Sequence, residues 1–490
     1  MEVPRLVDEG FAWAEQVIGG RIISRRKHNR WRPQWFLELE TPDGSLRKVL
    51  MRGFRNPGYT ASDEKGARDW LQVESEILRT IEQLPIAVPP HLGYNHDLGW
   101  MLMEWLEGSS EIGDVADPDE RFDAYRGYME ELAKLHATPI DSLSLSPLIA
   151  TPSSSTAHRE RLMRDHIAFY RKLEKNEPEP ILEMGIQWVQ HHEIPSERPL
   201  ALGLGDVGPG QFLFTGPQFK SLIDFEYGMI ADPFMEIGMM RSREMQYPLG
   251  RMPEHILHYG KRYEELSGQP FDLDAIRYWS VAGPAMWTLM SNAGVQNQAP
   301  EMIDLVFVLS WETQQKRAVI EAMAEYHNIR LTPPALPRET SSLLGPIYDT
   351  LTGQFQRYYA PRAQDPAEEA FVDYSVALSR TLARGNASHG EIDRANIEEL
   401  GDLIGRRPDD WYTGLRTLED MIREDYARDF EKRLSFLYNL SYRREFLYEP
   451  MQRGTGCGAF VPLARFDDVP GVAPSKIPIP QSRSLAGADA

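Results

Sequence analysis

Three oxygen-bearing side chains fall close together in the stretch LGLGDVGPGQFLFTGPQFKSLIDFEYGMIADP. Asp206 follows one strand-like run, Gln211 heads a second and Asp224 ends a third. Two short strands joined by a tight turn would bring all three to one edge. Such a set suits phosphoryl transfer, which asks a protein for positioning and charge more than for covalent chemistry. The reaction needs a carboxylate that orients an attacking hydroxyl and accepts its proton, a task that suits Asp206. It also needs oxygen ligands that hold magnesium against nucleotide phosphates, a task that suits Gln211 and Asp224. Taken singly, an aspartate after a glycine is an ordinary turn residue, so the joint spacing carries the reading.

The elements that must position these groups can be read along the chain. After a short opening helix, Gly19 and Gly20 lead into RIISRR, a polar turn at Lys27 to Arg32, QWFLELET, a turn at Asp43 and Gly44, and KVLMRGF. Branched and aromatic residues between turn signals predict a β-meander. A helix is expected from about Asp63 to Leu84, with Trp70, Val73, Ile77, Leu78 and Ile81 recurring at helical spacing, and Pro85, Pro89 and Pro90 stop it. A strand pair then reaches WMLMEWLEG, which Gly108 closes. From about Arg121 long helices take over (RFDAYRGYMEELAKLHA, HRERLMRDHIAFYRKLEK, ILEMGIQWVQHH), interrupted by the strands around Asp206 and resuming through Tyr326. A small β-rich unit followed by a larger helical one with a β-insert predicts an α+β, two-lobed protein with a cleft between the lobes. The proline-rich run from Leu331 to Glu339 reads as a linker. Helices follow it at SLLGPIYDTLTGQFQRYY, AEEAFVDYSVALSRTLA and TLEDMIREDYARDFEKRLSFLYNL, and the last forty or so residues read as an irregular or mobile tail.

Composition narrows the function classes. At 490 residues the chain exceeds what one core usually serves, and 42% hydrophobic with 26% charged residues describes an ordinary soluble protein. A formal charge of -20 argues against broad binding to nucleic acid or anionic lipid. An anionic ligand must therefore find a local basic site, and Arg25, Arg26, Lys27, His28, Asn29, Arg30, Trp31 and Arg32 form one, though such a run is otherwise a solvated hairpin. The single cysteine, Cys457, offers neither a disulfide nor a metal cluster. The start, MEVPRLVDEG, lacks the regions of a secretory signal and no apolar run reaches membrane-span length, so a cytoplasmic protein without a membrane partner is expected.

The motif resembles that of the aminoglycoside phosphotransferases and their relatives among choline-type small-molecule kinases. Their pattern runs His-Gly-Asp, two residues, Pro-Gly-Asn, then a strand ending in Asp-Trp-Glu or Asp-Phe-Glu, then Gly-Asp-Pro. Here Leu204, Gly205 and Asp206 are followed by Pro209, Gly210 and Gln211, then Asp224, Phe225 and Glu226, then Asp232 and Pro233. The resemblance implies a protein-kinase-like fold that uses ATP and Mg2+, with Asp206 as the catalytic carboxylate, Gln211 and Asp224 as metal ligands and Glu226 supporting the metal site. Leu204 stands where the family has histidine, and Gln211 where it has asparagine, keeping the amide oxygen but adding a methylene. Further along the resemblance, Arg52 ends the strand where kinases place a phosphate-binding lysine, and some family members carry arginine there. Glu74 would pair with it, with Glu76 as the competitor. Glu104, Trp105 and Leu106 resemble the interlobe hinge that meets adenine, and His136 lies in what resembles the first helix of the large lobe.

The loop RRKHNRWR lacks the family's phosphate-covering glycines, and Arg25, Lys27, His28 and Arg30 are candidates to substitute. The resemblance covers roughly residues 15 to 330. It implies a nucleotide-binding N-lobe at 1–108 and a catalytic, acceptor-binding C-lobe at 109–332. A helical domain at 333–450 and an irregular tail at 451–490 follow. Similar domains occur beside or fused to acyl-CoA dehydrogenases, where the implied acceptor is a hydroxyacyl-CoA. A sugar, an amino alcohol or an aminoglycoside-like acceptor remains equally open at this point. The second reading is a kinase-shaped binding or interaction protein that has lost catalysis. The C-terminal helices would cover the acceptor pocket, recruit a protein partner or support self-association. His191, His192 and Glu193 lack zinc-motif spacing and read as surface residues at a helix end.

Overall fold

The computed structural model describes residues 4–29, 32–54, 64–173, 177–246, 249–297, 305–338, 342–364, 366–454 and 461–481. Arg30, Trp31 and Cys457 lie outside them. The chain divides into two compact units that alternate along the sequence. The first gathers 1–155, 198–236 and 254–271, and the second 156–197, 237–253 and 272–490.

The first unit opens with α1 (Pro4–Ile18), then β1 (Arg21–Asn29), β2 (Pro33–Glu40), β3 (Leu46–Gly53), α2 (Glu64–Ile81), β4 (His91–Asn95), β5 (Trp100–Glu104) and α3 (Pro118–Ala137). The five strands form one antiparallel sheet in the order β1-β2-β3-β5-β4. Strand alternation assigns its two faces. Leu37, Leu39, Val49, Met51, Trp100 and Leu102 bury one face against Val7, Phe11 and Ala14 of α1. Leu50, Arg52, Gln34 and Phe36 consequently take the other, with Gln34 opposite Arg52 and Phe36 opposite Leu50. The polar turn expected at Lys27 to Arg32 is narrower than the composition suggested. Pairing continues to His28 with Gln34 and Asn29 with Pro33, because a run of long side chains tolerates a strand when its backbone partners are present.

Helix α2 covers the expected span with a somewhat different inner stripe. Ala67, Leu71, Glu74, Leu78 and Ile81 are buried at intervals of three and four, so Glu74 sits in line with the core residues. Trp70, expected on that face, is 39% exposed and meets the Tyr227 ring edge-on at 5.6 Å.

The chain then forms α4 (Ser155–Leu173) and α5 (Pro180–His191), and after them β6 (Ala201–Gly203), β7 (Phe212–Thr215), β8 (Gln218–Leu222) and β9 (Met229–Ala231). In the first unit β6 pairs with β9 and β7 with β8. Helices α6 (Pro233–Glu244), α7 (Met252–Ser267), α8 (Leu273–Asn297), α9 (Leu305–Tyr326), α10 (Gly345–Gln354), α11 (Pro366–Ile404), α12 (Trp411–Glu424) and α13 (Phe430–Gly454) complete the chain. The helix expected over TLEDMIREDYARDFEKRLSFLYNL is two helices, α12 and α13. They break where Asp425 caps the following amides and Asp429 turns to φ 50°.

The second unit is fastened by buried ion pairs. Arg317 of α9 and Glu445 of α13 are fully buried and joined by two contacts, Nη2 to Oε1 being 3.1 Å. The Glu179 carboxylate receives Lys316 and Arg444, each at 2.7 Å. Burial would raise its pKa, but these two cations outweigh it and bring it down to about 2. His191 stacks on Tyr426 at 4.4 Å, and His192 lies against Trp188 at 4.3 Å rather than at the surface as expected. Residues 461–481 have little regular structure yet are pinned. Val461, Ala464 and Ala473 accept at their carbonyls from Arg317, Arg241 and Arg277, and Phe466 is fully buried. Composition suggested an irregular or mobile end; the irregularity is seen at 461–481, whereas the pinning escapes composition, because a count of Gly, Pro and Ser does not register main-chain acceptors.

Removing one member of a buried pair leaves an uncompensated charge. Arg317→Ala should lower unfolding stability by about 3–5 kcal/mol, and joint replacement Arg317→Met with Glu445→Leu should recover much of it. Denaturant unfolding followed by circular dichroism reads both.

Candidate active site

The loop from β6 to β7 carries Asp206, and its backbone is tightly held. Gly205 has φ 75°, and a Cβ there would stand 1.8 Å from the Tyr227 carbonyl oxygen, so only glycine fits. The Gly205 amide donates to Glu236 Oε1, and the Gly208 amide donates to the Tyr128 hydroxyl at 2.9 Å. Glu236 is itself held by His136, whose Nε2 lies 2.9 Å from Oε2 while Nδ1 lies 2.7 Å from the Tyr259 hydroxyl. Burial keeps the Tyr259 pKa well above its usual value, so its O–H is available to donate. A neutral imidazole donating from Nε2 and accepting at Nδ1 satisfies both contacts. Leu204, in place of the family's histidine, is fully buried. The loop is therefore placed by Glu236 and not by a polar side chain at 204.

Asp206 is half-buried, and its Oδ2 accepts from Gln211 Nε2 at 2.9 Å. That contact orients the amide, because a carboxylate repels the carbonyl oxygen and attracts the NH2. The Gln211 Oε1 is left buried, with no hydrogen-bond donor among the described residues. The Ile223 amide donates to the Gln211 carbonyl at 3.0 Å, which sets Asp224 beside the same loop. Asp224 adopts φ 66°, a left-handed conformation that aspartate tolerates better than most residues.

On the sheet side, Arg52 and Glu74 meet as expected, with Nη1 2.7 Å from Oε1, and both are buried. Glu76 instead faces Arg79 near the surface. The buried stripe of α2 decides between the two glutamates. Arg52 Nη1 also reaches Asp224 Oδ1 at 3.2 Å. A second cation joins them. Arg32, 8% exposed, forks across Glu74 at 2.6 and 3.1 Å and contacts Asp224 Oδ1 at 3.0 Å and Glu226 Oε2 at 3.3 Å. Its burial alone would lower its pKa, but Glu74, Glu226 and Asp224 raise it, so it is a permanent cation.

Arg32 was inside the basic run recognised in the sequence but was not among the residues singled out from it. The available signal was its place directly before β2, at the end of the hairpin nearest Arg52. Of the residues that were singled out, Arg25 lies over the Phe11 ring at 5.0 Å, on the α1 face and away from Arg52. His28 packs edge-on to Phe36 at 5.7 Å, and the neighbouring Arg26 stacks on that ring at 4.2 Å. At the other end of the sheet, Glu104 ends β5. The Trp105 amide donates to the Lys48 carbonyl at 3.0 Å, and its ring lies 4.8 Å from Phe36. No hydrogen bond of the Leu106 amide is present among the described residues.

Among the described residues no group of three or more His, Cys, Asp or Glu side chains is placed to hold a metal ion. A hard cation here would need an amide oxygen beside the carboxylates. The orphaned Gln211 Oε1 is an oxygen of that type, on the loop that the Ile223 amide ties to the Asp224 segment, and Arg32 is the cation already seated on Asp224 and Glu226.

The sequence profile of the phosphotransferase enzyme family matches residues 29–279, just over half of the chain and spanning every residue of this cluster. The chain belongs to the phosphotransferase enzyme family. Its fold is α+β, and its activity class is that of a small-molecule kinase. Curated proteins give no match to the sequence. Among solved structures, a candidate aminoglycoside phosphotransferase from Ralstonia eutropha is similar at 17% identity and TM-score 0.48, covering 64% of this chain and 98% of its own. A macrolide 2'-phosphotransferase from Brachybacterium faecium follows at 17% and 0.43, covering 60% and 99%. A choline kinase from Streptococcus pneumoniae stands at 11% and 0.44, covering 65% and 99%.

The loop of this phosphotransferase should tolerate no side chain at its tightest point. Gly205→Ala combines a left-handed backbone with a carbonyl clash and should cost about 3 kcal/mol, read as a lowered unfolding midpoint.

Proposed function

We propose that this phosphotransferase moves the γ-phosphate of ATP to a hydroxyl of a small molecule. The contact that best supports this reading is the Gln211 amide on the Asp206 carboxylate, which orients a proton acceptor and leaves an amide oxygen without a donor among the described residues, on the loop that the Ile223 amide joins to the Asp224 segment. Asp206 orients the acceptor hydroxyl and takes its proton. Arg52 meets phosphate oxygens, and Glu74 holds it in place. Gln211, Asp224 and Glu226 would hold magnesium, which supplies charge neutralisation on the outer phosphates. Glu104, Trp105 and Leu106 form the adenine hinge. Since the Trp105 amide is already bonded to Lys48, the donor toward adenine is the Leu106 amide.

Residues 1–108 serve nucleotide binding and 109–332 serve catalysis and acceptor binding. The helices of 333–450 receive a protein partner or support self-association. The acceptor is drawn from hydroxyacyl-CoAs, sugars, amino alcohols and aminoglycoside-like compounds, and the site of action is the cytoplasm. No helix among the described residues is long and apolar enough to cross a membrane, and the net charge of -20 disfavours nucleic acid as a partner. The contact of Arg32 with Asp224 and Glu226 favours one second reading, a nucleotide-binding protein with impaired catalysis.

Purified protein with ATP and Mg2+ should phosphorylate one component of a pool of hydroxylated metabolites that includes hydroxyacyl-CoAs. Asp206→Asn should lower kcat by about 10²–10⁴-fold with nucleotide affinity nearly unchanged. Nucleotide binding with no aspartate-dependent product across the pool would select the second reading.

A further inference from the structure

Arg32 has more to do than neutralise Glu74. Glu74 already has Arg52 at 2.7 Å, yet Arg32 also reaches the two carboxylates after β8, at 3.0 Å from Asp224 Oδ1 and 3.3 Å from Glu226 Oε2. Asp224 Oδ1 thus receives two guanidinium groups, since Arg52 lies 3.2 Å from it as well. A guanidinium only donates hydrogen bonds, so it occupies the lone pairs that a metal would use and cannot itself join a coordination shell. Charge acts in the same direction. Glu74, Asp224 and Glu226 carry three negative charges and Arg32 with Arg52 two positive ones, leaving −1 around the site, against −2 if Arg32 were neutral. In a buried setting that difference is weakly screened.

We propose that Arg32 is the resident cation of this site, seated on Asp224 and Glu226, and that a divalent metal ion binds there only by displacing it. The proposal rests on the metal-ligand roles given above for those two residues and adds a determinant of metal affinity to them. Arg32 lies just before Pro33, at the start of β2, so its withdrawal would loosen the first pairs of β2, Gln34 with Arg52 and Phe36 with Leu50. Metal loading is thereby coupled to the turn end of the β1–β2 hairpin.

The test is Mn2+ binding to the full-length protein in the presence of ADP, followed by the electron paramagnetic resonance signal of the free ion. Arg32→Gln, checked for folding by circular dichroism, should bind Mn2+ at least about tenfold more tightly than the wild type, and Arg32→Lys should stay within about threefold of it. Equal or weaker binding by folded Arg32→Gln would overturn the proposal while leaving the phosphotransfer reading intact. Absence of Mn2+ binding in both proteins would overturn the two together. Should the glutamine variant not fold, hydrogen exchange of the wild-type protein decides. Saturating Mn2+ should speed exchange of the amides at 34–36, and an unchanged rate at proven saturation would refute displacement.

Discussion

The carboxylate of Glu74 is 1% exposed, and much else in the first unit follows from keeping it charged there. An unpaired carboxylate at such depth would be penalised by several kcal/mol, so cations must come to it. Arg52 comes from β3 and Arg32 from the start of β2, and both then extend to Asp224 beyond β8. One buried negative charge on a helix therefore ties together three stretches of chain that are far apart in sequence. The rest of the proposed chemistry inherits its geometry from this knot.

A second constraint is made mostly of backbone. Gly205 presses against the Tyr227 carbonyl, Glu236 takes the Gly205 amide, and the Ile223 amide closes onto Gln211. These contacts fix where the chain passes on either side of the proposed chemistry and leave the residue types at 204 and 211 freer than a motif would suggest. Leucine at 204 fills space, while His136 and Tyr259 hold Glu236 from outside the loop. Glutamine at 211 uses its extra methylene to reach Asp206 with one end of its amide and keeps the oxygen for another partner.

What the sequence revealed and what it hid divide along the range of the interactions. The strands of the meander, α2 and the segment from Asp206 to Asp224 were legible because turn residues, periodicity and motif spacing are local signals. Glu74 was separable from Glu76 only once the stripe through Leu71 and Leu78 was seen to be the buried one. Arg32 was hidden inside a run of eight basic, polar and aromatic residues, and only the register of β1 with β2 shows which cation is sent to the carboxylates and which, like Arg25, is sent to the α1 face. The split between α12 and α13 was missed because an unbroken helical pattern carries no mark of a single left-handed residue at Asp429.

The pinned stretch at 461–481 bears on how this gene tolerates change. Three buried arginines, Arg241, Arg277 and Arg317, find acceptors there, and each acceptor is a peptide carbonyl. Every amino acid supplies that group, so the residues at 461, 464 and 473 can drift as long as the path of the chain is kept, whereas the buried Phe466 and the Asp467 and Asp468 carboxylates that face Arg330 are held by their side chains. A premature stop soon after α13 is a different matter, because it removes a carbonyl acceptor from all three cations at once and leaves each only its partners within the second unit, among them Glu325, Asp274 and Glu445.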